Sequence, residues 1–243
     1  MTQTTIDKTR LKTAVVRRKK AVYEPVKPEM QLGFIHHNVD CIGCRTCEIA
    51  CKDKNGLEAG PRFRRVQYVE GGTYPDVYAY KINVSCNHCG KPACLPACPT
   101  GAIFKRKKDG IVDIDSSLCI GCRRCEAACP YGAPQYDPDE QVVKKCNMCV
   151  DEIDAGRKPY CVDACLMRVL DIGPIDQLLA GTWRTTAMGP GDKVSRQVVN
   201  FADPELTNPS IVFIAHSKGA VETDTGKAKT TATEGASDKG EGG

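Results

Sequence analysis

Apolar residues in this chain come in short runs, and Lys, Arg, Asp or Glu interrupts every one of them. None approaches the roughly 18 uninterrupted apolar residues that a membrane-spanning helix needs, so the chain is expected to be soluble or docked, with no span of its own. Residues 103–107 and 111–114 are apolar-rich and flank Asp109-Gly110, a hairpin turn pair. Residues 141–144 close a similar excursion after Asp137-Pro138-Asp139. A longer insert at 52–85 holds strand candidates at 62–69 and 77–84, around Gly71-Gly72 and Pro75. It reads equally as added surface for a partner or as a hairpin covering the interior from water. Residues 211–214 form a last apolar run, a strand or extended segment on the body. With helices placed mainly on the segments that close the cysteine motifs described below, the pattern predicts an α+β chain of short strands and small helices, with extended N- and C-terminal segments.

Leu, Ile, Val and Phe make up only about a fifth of the residues, the lower edge of what lets an ordinary core form. Apolar burial alone is therefore not expected to hold the fold. The ends differ from the middle. Residues 1–30 form a basic arm with Arg17-Arg18-Lys19-Lys20 as its densest run. A twin-arginine export signal would need an apolar stretch after those residues, whereas Ala21-Val22-Tyr23 runs directly into Glu24-Pro25 and Lys27-Pro28; that reading is rejected. An arm lying on a partner subunit and a solvated tail both remain open. Residues 217–243 are Gly, Ala, Thr, Ser, Lys and Glu with little else, a composition expected to be a disordered tail. The net charge of +4 is small and its signs are mixed, and no aromatic-basic motif supports a nucleic-acid role.

Cysteine changes the picture. There are 16, in groups at 41/44/47/51, 86/89/94/98, 119/122/125/129 and 146/149/161/165. The first and third have the spacing C-x2-C-x2-C-x3-C, and Pro130 follows the third, which completes the bacterial ferredoxin signature for a [4Fe–4S] cluster. The second group widens the central gap to four residues and the fourth to eleven, yet each keeps the opening C-x2-C and the closing C-x3-C. Repetition of this kind favours duplication of one unit. A disulfide framework would explain neither the repeated spacing nor the proline. Zinc is the stronger rival, compatible with the fourth group alone, but three cysteines within seven residues fit it poorly. His88 could replace a thiolate; with all four thiolates of its motif present, a supporting or surface role is expected. His36, His37 and His216 carry no signal.

Three sulfurs from one short turn can bond one cubane, and in two-cluster ferredoxins the last cysteine ligates the other cluster. Motifs two and three lie together at 86–129 and should pair with each other, leaving motifs one and four to pair across them. Four clusters follow: Cys41, Cys44, Cys47 and Cys165; Cys86, Cys89, Cys94 and Cys129; Cys119, Cys122, Cys125 and Cys98; and Cys146, Cys149, Cys161 and Cys51. The expected organisation is two ferredoxin-like units, an inner one at 86–129 and an outer one formed by 31–85 with 130–216. With every iron ligated by thiolate, outer-sphere electron transfer is the natural task. No Gly-rich nucleotide loop and no nucleophile–base pair is present, so no catalytic residue is assigned and catalysis is expected in another subunit. Arg45, Arg123, Arg124, Lys144 and Lys145 lie beside the motifs, where they would raise cluster potentials or serve as solvated faces.

These motifs, with Ser85-Cys86-Asn87-His88-Cys89, Cys119-Ile120-Gly121-Cys122-Arg123-Arg124-Cys125, Cys129-Pro130-Tyr131-Gly132-Ala133-Pro134-Gln135-Tyr136 and the wide fourth group, resemble the iron–sulfur electron-transfer (B) subunit of dimethyl sulfoxide reductase-type molybdopterin oxidoreductases. The resemblance covers roughly residues 32–215, taking in Phe63-Arg64-Arg65, Gly173-Pro174-Ile175 and Asn208-Pro209. It implies a heterotrimer of this chain, a catalytic subunit with a molybdopterin cofactor and a cluster of its own, and a membrane anchor that oxidises quinol. It also supports the crossed pairing. Relatives with a [3Fe–4S] centre replace one cysteine, and this chain replaces none; formate dehydrogenase relatives add a C-terminal membrane helix where this chain has its polar tail. Lys52 and Leu166 stand where proline commonly follows the last cysteine. The family further implies association with the membrane through the anchor, on the extracytoplasmic face by co-export with the catalytic subunit, with the cytoplasmic face as the alternative. Polysulfide, thiosulfate, tetrathionate, arsenate and selenate reductases use similar subunits, and a diffusible polyferredoxin is the reading from a different class.

Overall fold

In the computed structural model the described residues are 28–183, 185–189, 192–198 and 201–214. The basic arm up to residue 27, including Arg17-Arg18-Lys19-Lys20, and the tail at 217–243 lie outside them. The sixteen cysteines punctuate the sequence so often that no element grows long. The longest are the helix α1 (Thr46–Lys54) and the strands β2 (Arg65–Thr73) and β3 (Asp76–Val84). The other helices are single turns or little more: α2 (Cys94–Ala97), α3 (Arg124–Ala128), α4 (Val150–Asp154), α5 (Tyr160–Asp163), α6 (Ile175–Leu179) and α7 (Pro204–Thr207). Helices this short are not stable alone. Here α1 packs on α5 and α2 on α3. Among the described residues no helix is long and apolar enough to cross a membrane.

One sheet ties the two ends of the described region together. Its strands, in spatial order, are β8 (Leu170–Pro174), β1 (Leu32–His37), β10 (Ile211–Ile214) and β9 (Val194–Ser195). β1 runs parallel to β10 and antiparallel to β8. A strand with neighbours on both sides and cover on both faces reads as a continuous apolar run, and Phe34, Ile35, Ile211, Val212 and Phe213 are fully buried. The apolar stretch at 32–35 carries no alternation and is not among the expected strands. Close approach at the sheet's centre requires glycine: a Cβ at Gly33 would lie 2.7 Å from both the Ser210 carbonyl oxygen and the Ile175 Cδ1.

Three hairpins complete the molecule. β2 and β3 pair from Arg65–Val84 to Thr73–Asp76, so the strand runs through Gly71-Gly72 and turns at Tyr74-Pro75. That corrects the expected boundary at residue 69. Tyr78 lies opposite Gly71 with its hydroxyl end where a Cβ would stand, so the aromatic ring covers the glycine and keeps the ladder closed. The hairpin of β4 (Ile103–Lys105) and β5 (Val112–Ile114) has shorter strands than the expected runs. Its loop is closed by buried Asp109, which accepts from the Ile111 amide at 3.1 Å and pairs with Arg106 at 3.1 Å. β6 (Gln135–Asp137) and β7 (Val142–Lys144) form the third. The arrangement is α+β.

Gly33→Ala is expected to lower the stability of the purified protein by about 1–3 kcal/mol, the cost of overpacking a filled site. An unchanged unfolding midpoint would show that β1 and β10 sit further apart than this geometry requires.

Candidate metal centres

Each opening C-x2-C is bent by the same device. The residue before the second cysteine has a positive φ in all four motifs: Gly43 (73°), His88 (43°), Gly121 (66°) and Met148 (60°). In motifs one and three the residue after that cysteine is left-handed too, Arg45 at 61° and Arg123 at 59°. Glycine takes such angles freely, whereas His and Met do so at a cost that surrounding structure must over-determine. The bends turn successive sulfurs toward a common centre. They also leave no room for a side chain at the glycines: a Cβ at Gly43 would run into the Tyr68 hydroxyl, and one at Gly121 into the Gln141 carbonyl.

The closing C-x3-C arms are helical, and helix packing brings different motifs together. Cys47 and Cys51 lie on α1 against α5 with Cys161; Cys94 on α2 lies against α3 with Cys125. Three cavities result. Cys86, Cys89, Cys94 and Cys129 line the first, Cys98, Cys119, Cys122 and Cys125 the second, and Cys41, Cys44, Cys47 and Cys165 the third. The three linings are alike, four sulfurs each, which suits one kind of occupant. The remaining four are also neighbours, since the Cys51 thiol is raised first by burial and then by the charges of Cys146, Cys161 and Cys149. All sixteen cysteines are free, so the disulfide reading finds no support here. Among the described residues no three Cys, His, Asp or Glu side chains converge on a point that one ion could occupy. A structural zinc takes donors at about 2.0–2.3 Å from one centre; sulfurs standing around a space suit a polynuclear group.

Burial holds most of these thiols in the protonated form. It pushes Cys89 up to about 12 and Cys125 and Cys146 up to about 11. The exposed Cys44 goes the other way, lowered by a hydrogen bond from the Thr46 hydroxyl. Only a strong positive charge in the cavities would bring the buried sulfurs to the thiolate form that ligands must have.

Positive charge from the protein is already there, at Lys145, which the sequence marks, and at Arg64 and Lys105, whose charges it does not mark. Arg64, 1% exposed, lies against the Phe34 ring at 4.4 Å and donates from Nη1 to Asn83 Oδ1 at 2.8 Å. Asn83 in turn donates to Cys47 Sγ at 3.3 Å. Burial alone would lower the Arg64 pKa; the sulfurs of Cys161, Cys146, Cys47 and Cys51, once ionised, outweigh it and raise it. Lys145 is also buried and donates to the carbonyls of Val112 and Cys146. Lys105, buried in β4, donates to the Cys89 carbonyl at 2.7 Å, and burial lowers it to about 8. Of the five basic residues singled out in the sequence, only Lys145 is buried. Arg45, Arg123 and Arg124 are exposed, with Arg123 paired to Glu126 at 2.7 Å, and Lys144 pairs with Asp137 and Glu140 at 2.9 and 2.7 Å.

Two histidines are interior. His88 accepts the Val112 amide at Nδ1 over 3.0 Å, which leaves the proton on Nε2, and burial holds the ring neutral. His36, silent in the sequence, lines the cavity of Cys41, Cys44, Cys47 and Cys165, shares a 2.7 Å hydrogen bond with Asn38 and is lowered to about 4 by burial.

The residues fit iron–sulfur groups. Every donor set is sulfur, which selects soft metals and clusters. Arg64 Nε and Nη2 and His88 Nε2 are buried with no protein acceptor. Buried donors of this kind need a partner, and the sulfides and thiolates of a cluster accept hydrogen bonds.

Comparison with known proteins agrees. A family described as a 4Fe-4S dicluster domain matches residues 77–175, and one described as a 4Fe-4S binding domain matches residues 40–56. The B chain of the anaerobic dimethyl sulfoxide reductase of Escherichia coli (strain K12) is 47% identical over 203 residues, covering 80% of this chain and 94% of the relative. Its namesake from Haemophilus influenzae is 38% identical over 204 residues with the same coverage. The B subunit of the sulfite dehydrogenase of Allochromatium vinosum is 42% identical over 156 residues, 56% of this chain and 65% of the relative. Free sulfurs gathered in facing sets, buried donors without a protein acceptor and this coverage lead to one statement: the protein belongs to the family of iron–sulfur electron-transfer subunits typified by the dimethyl sulfoxide reductase B chain.

Proposed function

We propose that the sixteen cysteines hold four [4Fe–4S] clusters in the crossed sets given above, within two ferredoxin-like units, and that the chain relays electrons from a quinol-oxidising membrane anchor to a molybdopterin catalytic subunit. The observation that carries the reading is the composition of the three lined cavities: each takes three sulfurs from one motif and the fourth from another. When bound, such a group supplies reversible one-electron transfer and, fully ligated, offers no iron to a substrate. The protein's own part is to bring the sets close in series. Arg64 is linked through Asn83 to Cys47 and hydrogen-bonds Cys161 of the Cys51 set, and Lys145 donates to the Cys146 carbonyl while lining the cavity of Cys86. α2 and α3, packed together, connect the sets of Cys94 and Cys98.

Exposure supports a through-relay. Cys44 and Cys122 are the exposed cysteines, and they fall in the first and last sets of that series. Ile42, Leu166 and Met167 stand exposed beside the first, and Leu118 and Ile120 beside the last. Exposed apolar residues grouped at a functional edge mark contact surfaces. The chain would be held at the membrane through its anchor, on the extracytoplasmic face. The acceptor is set by the catalytic partner: the relatives include a sulfite dehydrogenase subunit as well as dimethyl sulfoxide reductase chains.

Anaerobic native pull-down of the chain should yield about sixteen irons per copy together with a large molybdenum-bearing subunit. Iron without a stable partner would favour a diffusible polyferredoxin. Cys94→Ser or Cys125→Ser should convert or remove one cluster; unchanged redox spectra in both would overturn the ligand sets. Gly121→Ala should cost about a quarter of the iron with the rest retained, because the strained turn serves one set only.

A further inference from the structure

The sixteen cysteines account for the groups themselves, but not for two buried cations placed between them. Arg64 and Lys145 are 1% and 5% exposed. A buried charge without compensation is strongly destabilising, so each must answer to something inside the molecule. Arg64 has Asn83 as its hydrogen-bond acceptor, with Nε and Nη2 left open. Through Asn83 it is linked to Cys47 Sγ, and its side chain also hydrogen-bonds Cys161, so it touches two different sets. Lys145 donates to the carbonyls of Val112 and Cys146 and lines the cavity of Cys86, Cys89, Cys94 and Cys129, again two sets. Lys105, the third buried cation among the described residues, donates to the Cys89 carbonyl, of a single set.

We infer that Arg64 and Lys145 are shared redox-tuning residues: Arg64 makes the groups on Cys41/Cys44/Cys47/Cys165 and Cys51/Cys146/Cys149/Cys161 easier to reduce, and Lys145 does the same for the latter group and that on Cys86/Cys89/Cys94/Cys129. The inference rests on the four-cluster reading. Reduction adds one electron to a group that is already anionic and makes or breaks no bond. A fixed cation in a low-dielectric interior favours the more negative form, and screening by solvent is weak there. The set on Cys51, Cys146, Cys149 and Cys161 takes both shared cations. The set on Cys98, Cys119, Cys122 and Cys125 takes neither; the cation lining its cavity is Arg123, exposed and already paired with Glu126. The shared cations are therefore distributed two, one, one and none, and the distribution is set by the side chains at residues 64 and 145.

The test is a potentiometric titration followed by paramagnetic resonance, with dithionite and ferricyanide as reductant and oxidant, on the chain in its native complex. The groups are assigned by the signals lost in Cys47→Ser, Cys94→Ser, Cys125→Ser and Cys161→Ser. Arg64→Gln should make two groups at least tenfold harder to reduce, about 59 mV each for one electron, and leave the Cys125 group unmoved. Lys145→Met should shift a different pair, overlapping the first at the Cys161 group, where the double variant adds both shifts. Arg64→Lys, which keeps the charge, should retain most of the wild-type potentials and guards against a variant that fails to load. Midpoints that stay put with iron and sulfide contents unchanged, or that move equally in all four groups, would overturn the inference. Fewer than four groups in the wild-type signal would instead defeat the cluster reading, a separate outcome visible before any variant is made.

Discussion

Everything in this molecule answers to the need to hold anionic sulfur inside a small protein. A thiol left in these cavities stays protonated, as burial at Cys89 and Cys146 demands, and a buried thiolate without compensation is costly. Iron supplies most of the compensating charge, and Arg64 and Lys145 add to it from the protein. The apolar core is accordingly modest and interwoven with the ligands: Phe34, Phe63, Ile82, Met148 and Val162 pack with Cys47, Cys51, Cys146 and Cys161 in one cluster. Metal binding is accordingly expected to contribute to folding, because the unfolded chain has no preformed site.

The same need explains why the elements are short and yet hold their positions. A cubane wants three sulfurs from one tight turn, and left-handed residues at 43, 88, 121 and 148 provide it. In the three lined cavities the fourth sulfur comes from another motif, so these sets draw distant stretches of sequence together. The sheet adds a second tie. By laying β1 between β8 and β10 it brings the segment before the first motif against the segments after the last. Glu48, buried on α1, accepts the Val66 amide and so ties the first motif to β2. That contact fixes the start of the strand, and Arg64, which directly precedes it, enters the interior beside Asn83.

How much of this is legible in the sequence depends on whether the signal is local. The cysteine spacings announce iron–sulfur chemistry because ligand geometry imposes them within a few residues, and the hairpins at 103–114 and 135–144 follow from turn chemistry and short apolar runs. Burial of a charged residue has no such signature. Arg64 sits in a run with Arg62 and Arg65 in which nothing local marks one arginine for burial, and only tertiary packing separates it from its neighbours. His36 looks idle for the same reason. The central strand β1 escapes notice because full burial removes alternation, and β2 is cut short because two glycines look like a turn until Tyr78 is seen to cover one of them.

The ligands are legible and the burial of the cations is not, and the two reflect different physical constraints. A thiolate ligand must bond iron at a set distance, so its spacing along the sequence is narrowly limited. A tuning charge acts through space, and any segment that can deliver it to the interior will serve. Arg64 arrives from the start of a hairpin, whereas Lys145 arrives from the residue before a ligand. Ligand content is therefore written in motifs, while the relative ease of reducing each group is written in the fold. Two members of this family with the same sixteen cysteines can differ in how they grade electrons along the series, and the residues to compare between them are the buried cations that stand between two sets.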